Sequence, residues 1–195
     1  MAKAQLEEIS TLAEEKDAPF FKAAGRAVLG INFGLIGRPA KAVRLIASSI
    51  APYRATGAKI LIPHILSQLA KAYAHLGQFD EAWRFMDEAM TTAEASWERW
   101  SDAETHRIAG EIALLSPGRD FAKAEAYFER ALEIARTQQA RSWELRAATS
   151  LARLWRDQGK RAEAHDLLRP VYGWFTEGFD TADLKEAHAL LGEVA

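Results

Sequence analysis

The sequence predicts an all-α chain built from antiparallel helix pairs, and three observations predict it. Ala, Leu, Glu, Arg and Lys dominate the 195 residues, while proline numbers only six and no run of alternating β-branched residues occurs. A single pattern recurs four times: an apolar residue, a small residue, an aromatic or Ala three positions later, a glycine-containing turn, then Ala. Finally, 49% hydrophobic residues in a chain of this length are enough to bury a sizeable core.

Taken in order, the first element is a lone helix over residues 1–16, with Leu6, Ile9, Leu12 and Ala13 on one side. It reads as the second half of an earlier repeat. Helix pairs are then expected over residues 17–57, 58–97, 98–139 and 140–178. Their shared pattern runs LGINFGLIGRPAKA from Leu29, LAKAYAHLGQFDEA from Leu69, AGEIALLSPGRDFAKA from Ala109 and LARLWRDQGKRAEA from Leu151. The small residues Gly30, Ala70, Gly110 and Ala152 precede Ala42, Ala82, Ala124 and Ala164 by twelve residues, except in the third pair, where the turn Ser116 to Asp120 adds two. Two antiparallel helices joined by a tight turn approach closely only where small side chains meet, so the spacing predicts that the small residue faces the alanine.

The turns and second helices follow from the same pattern. Gly37, Gly77, Gly118 and Gly159 suit a left-handed turn, and Pro39 and Asp80 suit the start of the next helix. Downstream, Ile46 and Ile50, Phe85 and Ala89, Phe128 and Leu132, and Leu168 and Val171 continue apolar at helical spacing. A closing helix over residues 179–195 has Leu184, Ala187, Leu190 and Leu191 on one side, as a cap for the last open face.

Leu69, Ala70, Tyr73, Gly77, Ala82 and Ala89 together resemble the tetratricopeptide repeat. Leu29, Gly30, Phe33, Gly37 and Ala42 match in the same way, as do Leu151, Ala152, Trp155, Gly159 and Ala164, whereas the third unit departs with Ala113 in place of the aromatic. The resemblance implies a right-handed solenoid of long-helix repeats, with residues 1–195 as a single domain. AETHRIAGE from Ala103, ELRAATSLARLWRDQGKRAEA from Glu144 and PVYGWFTEGFDTADLKEA from Pro170 are similar to the C-terminal helical repeats of bacterial signalling regulators. Those regulators join a class III adenylate or guanylate cyclase domain, or a winged-helix domain, to an ATPase module. This sequence has no cyclase domain, no GxxxxGK[ST] loop and no winged-helix segment, so their enzymatic activities do not carry over.

Several function classes are disfavoured. With no cysteine there are no disulfides, thiolate nucleophiles or cysteine zinc sites, which fits a cytoplasmic location. The 25 basic and 27 acidic residues give no global field toward nucleic acid or an anionic membrane. The longest apolar run, Ala27 to Ile36, is too short to cross a bilayer. His64, His75, His106, His165 and His188 show no metal-ligand spacing, and Gly30, Gly34 and Gly37 lack the preceding strand of a nucleotide loop. No cofactor, metal or catalytic constellation is expected, and the chain is read as no enzyme. The tryptophans Trp97, Trp100, Trp143, Trp155 and Trp174 are assigned to packing between repeats.

In the family that the repeats resemble, the first helix of each pair lines a groove that holds a partner. The corresponding positions here are Lys71 and His75 after His64 and Ser67, then Glu104, Arg107 and Glu111, then Arg146, Thr149, Arg153 and Arg156. They are expected to form a mainly basic groove for an acidic peptide or helix, their alternative being a solvated charged face. The expected function is a non-catalytic protein-interaction scaffold or regulatory module, with a sensor for a small anionic effector as the alternative. In the first pair the same positions are Ala24, Ala27, Ile31 and Leu35, an apolar surface from which self-association through the N-terminal repeat is expected.

Overall fold

In the computed structural model the described residues are 11–13 and 15–195, and every regular element among them is an α-helix. Most of the lone helix expected over 1–16 therefore lies outside the described residues. Contacts divide the chain into two compact units, Met1–Arg99 and Trp100–Ala195, where the repeat pattern alone suggests one continuous domain.

The first unit holds α1 (Pro19–Leu35), α2 (Pro39–Ala55), α3 (Ile62–His75) and α4 (Phe79–Ser96). Successive helices pair as α1 with α2 and α3 with α4, and α3 also packs on α1 and α2. Phe33, Ile46, Tyr53, Leu66 and Leu69 fill its core. The second unit holds α5 (Asp102–Leu115), α6 (Phe121–Thr137), α7 (Arg141–Asp157), α8 (Arg161–Tyr172) and α9 (Ala182–Val194). Here α5 pairs with α6 and α7 with α8, α7 packs on α5 and α6, and α9 closes onto α7 and α8 through Leu184, Ala187, Leu190 and Val194.

The turn pattern has a hydrogen-bonding cause. The backbone N–H of Arg38 donates to Phe33 O at 2.9 Å, that of Gln78 to Tyr73 O at 3.0 Å, and that of Lys160 to Trp155 O at 2.8 Å. These bonds close the end of a helix around a left-handed residue, supplied by Gly37 and Gly77 at φ +73° and by Gly159 at φ +82°. The acceptor in each case is the aromatic of the repeat. In the third pair, Asp120 N–H reaches back to Ala113 O at 3.3 Å, seven residues instead of five, because the turn is two residues longer. The Asp120 carboxylate then accepts from Lys123 N–H at 2.9 Å and caps α6.

The close contacts fall one helical turn away from the register read in the sequence. A Cβ on Gly30 would lie 2.6 Å from Ile46 Cγ1, and one on Gly110 would lie 2.4 Å from the Phe128 ring, whereas Ala42 lies opposite Gly34. Two helices folded back about a turn near position 38 pair residues equidistant from it, which sets Gly30 against Ile46 and Gly34 against Ala42. Ala42, Ala82, Ala124 and Ala164 are nonetheless fully buried. The tryptophans also depart from their assignment. Trp97 is 81% exposed at the end of α4, in a left-handed conformation, and Trp174 is exposed beside Arg141. Trp143 does pack, stacking on Trp100 at 5.7 Å between ring centroids, and Trp155 donates to Glu125 Oε1 at 2.6 Å.

Candidate functional site

The first helices of the third and fourth pairs, α5 and α7, carry seven of the nine candidate residues, and helical spacing turns most of them toward each other. Glu104 and Arg107 are buried. Arg107 makes a two-pronged bond to Glu104, Nε to Oε2 at 2.8 Å and Nη2 to Oε1 at 2.9 Å. Its Nη1 donates to Glu111 Oε1 and, at 3.3 Å, to Ser150 Oγ on α7. Arg146 Nη2, also on α7, sits 2.9 Å from Glu104 Oε1. Burial alone would lower the pKa of the Arg107 guanidinium, but hydrogen bonding and charge from Glu104, and then from Glu111, raise it. Arg107 thus stays charged inside the unit, with its donors already engaged.

Arg146, Arg153 and Arg156 form a row along α7 against α9. Arg146 Nε lies 3.9 Å from Asp183 Oδ1, Arg153 pairs with Glu186, and Arg156 pairs with Glu193 and, at 2.7 Å, with Asp157. The Asp157 hydrogen bond leads in raising the Arg156 pKa, burial opposes it, and Glu193 adds to the rise. Thr149 is buried, and its hydroxyl donates to Leu145 O at 2.7 Å on its own helix. The basic row is therefore balanced inside the chain by Glu104, Asp183, Glu186 and Glu193. The acids of α9 were missed in the sequence because, seven and three residues apart, they look like any solvated helix face.

A cavity of about 250 Å³ opens between α5, α6 and α7, lined by Glu111, Ser150, Arg153 and Asp157 over Leu114 and Phe128. Arg119 lines it as well, so two acids stand against two arginines and the cavity lacks the net positive charge that a small anion requires. Lys71 and His75 belong to the first unit, where with Gln68 they line a more apolar cavity of about 220 Å³ beside Ile31 and Leu35. His64 is on the same helix, and Ser67 is buried with its hydroxyl returned to His64 O at 2.8 Å. Among the described residues, no group of three or more His, Cys, Asp or Glu is arranged to hold a metal, and no helix is long and apolar enough to cross a membrane.

The helix pairs of each unit have a fold of the tetratricopeptide-like type. Tetratricopeptide repeat family models match residues 64–96 and 145–172, and residues 115–138. The chain is similar in fold to the nearly identical TPR-like repeats of a Podosopora anserina protein described as a kinesin light chain. A variant of that protein aligns at TM-score 0.63 and 19% identity, over 88% of this chain and 84% of that one. A second structure of it aligns at TM-score 0.57 and 20% identity, over 88% of this chain and 92% of that one. No curated protein matches. The chain carries tetratricopeptide repeats, and its fold is all-helical and of that type.

Proposed function

We propose that the protein is a non-catalytic interaction scaffold that holds a segment of a partner protein against the first helices of its pairs. The repeat itself carries this reading. It sets α5 and α7 side by side with Glu111, Ser150, Arg153 and Asp157 around an open recess, a surface suited to a peptide of mixed charge. A cytoplasmic bacterial signalling system, as in the cyclase and ATPase regulators with similar C-terminal segments, is the setting proposed for it.

The internal pairing of the arginines sharpens the proposal. A partner that uses Arg153 and Arg156 must compete with Glu186 and Glu193 of α9. Replacing those acids with Gln frees Arg153 and leaves Arg156 held by Asp157 alone, and should raise partner capture in a pull-down by about tenfold, whereas Arg153→Ala with Arg156→Ala should lower it by a similar factor. Equal capture by all three proteins would move the site away from α7. A sensor for a small anion is the weaker reading, given the balanced charge of the α5–α7 cavity.

A further inference from the structure

Along α1, Phe21, Ala24, Val28, Ile31 and Leu35 recur at alternating intervals of three and four residues, which places them on one face as a seam two heptads long. At 1.5 Å per residue the seam runs for about 21 Å. Solvent reaches it, with Phe21 60% and Leu35 64% exposed and Val28 exposed between them. One repeat later, forty residues on, α3 has His64, Gln68, Lys71 and His75 where α1 has Ala24, Val28, Ile31 and Leu35. The apolar seam is therefore peculiar to the first pair and is not something that the repeat demands.

Two further observations say what covers it. The 220 Å³ cavity lies at the C-terminal end of the seam, walled by Ile31, Gly34 and Leu35 on one side and by Gln68, Lys71 and His75 on the other. Apolar cavities of about 150 Å³ accept benzene, so this recess has room for one large apolar side chain. Charge supplies the rest. From Ala18 to Phe79 the sequence has eight Lys and Arg residues and no Asp or Glu, so all 27 acids of the chain lie outside the three helices that build the seam and the recess.

We propose that the α1 seam and its recess dock an acidic amphipathic helix of a partner protein. This rests on the protein-binding reading and assigns it a second, chemically distinct surface. Anchors at heptad spacing would lie along Phe21, Val28 and Leu35, one of them entering the recess, while flanking carboxylates meet the surrounding cations. A second copy of the chain fits poorly, because seam-to-seam packing would bring together helices that carry Lys and Arg but no Asp or Glu. A polyanion would use the charge and leave the seam in water, and a flat bilayer would leave the recess unfilled.

The test is fluorescence anisotropy on the full chain with a labelled helical peptide of about 18 residues, with Leu at the first and fourth heptad positions and Glu beside them, below its self-association concentration. Controls are the same peptide with Lys for Glu, polyglutamate, and vesicles of phosphatidylcholine with phosphatidylserine. The Leu/Glu peptide should bind at least about tenfold tighter than either control peptide, and Val28→Glu with Leu35→Glu should abolish that advantage while leaving helical content and Tm unchanged. Equal binding of the Lys peptide, or indifference to the double substitution, overturns the proposal. So does seam-dependent sedimentation with vesicles, which would assign the face to lipid, or a dimer that the double substitution dissolves, which would assign it to a second copy. Partner capture that needs Arg153 and Arg156 but ignores the seam would overturn this inference alone and leave the scaffold reading standing.

Discussion

At Gly30 one methyl group decides how closely α1 approaches α2. A Cβ there would meet Ile46 Cγ1 at 2.6 Å and Ile46 N at 3.0 Å, whereas a Cβ on Gly34 would sit 3.6 Å from Ala42, in ordinary contact. Both Gly→Ala changes gain the same helix propensity, so their difference isolates the overpacking. Gly30→Ala should be less stable than Gly34→Ala by about 1–3 kcal/mol in chemical denaturation, and equal midpoints would refute the register. The sequence announced a close contact at Gly30 but placed its partner one turn early, since both glycines and the alanine are small and composition alone does not choose between them. Charges separate in a similar way. Glu104 is buried between Arg107 and Arg146, so Glu104→Ala leaves the buried Arg107 with Glu111 alone and Arg146 with the more distant Asp183 and should cost about 3 kcal/mol, while Arg153→Ala breaks a half-exposed pair and should cost about 1 kcal/mol or less. Comparable losses in the two variants would mean that the Glu104 cluster is not sealed from water. The i, i+3 spacing of Glu104 and Arg107 was legible as a ladder. Its burial was not, because Arg146 and Ser150 approach from a helix forty residues away.

At the scale of elements, α9 does two jobs that the sequence let us see unequally. Its apolar side, Leu184, Ala187 and Leu190, marked it as the closing helix, and those residues are buried against α7 and α8. Its acidic side faces Arg146, Arg153 and Arg156 and neutralises a row otherwise open to a partner. Because these pairs are partly exposed, Glu186→Gln with Glu193→Gln should change stability by no more than about 1 kcal/mol, so a gain in partner capture by that variant reports the arginines released from α9 and not a loosened fold. The lengthened third turn shows the same partial legibility. Two added residues were visible, and the structure supplies their consequence in the Asp120 to Ala113 hydrogen bond and the carboxylate cap on α6.

Over the whole molecule the repeat settles the fold class, while the proposed binding surfaces lie where the pairs stop resembling one another. The balanced totals of 25 basic and 27 acidic residues conceal a block without acids that coincides with the apolar seam of α1, so a net charge close to zero was a poor guide to local fields. Trp97 is a second departure, since an aromatic at a repeat junction suggested packing and the chain instead leaves it in solvent on a left-handed residue. In the proposed mode of binding the first helices of the pairs, and not the second, receive a partner. Photo-crosslinking tests it most directly, with a reactive residue placed at Asp157, beside the α5–α7 cavity, or at Glu129, exposed on α6. One discrete crosslinked protein is expected from Asp157, lost in the Arg153→Ala, Arg156→Ala background, and no such species from Glu129. The same crosslinked protein from both positions, or from Glu129 alone, would contradict it.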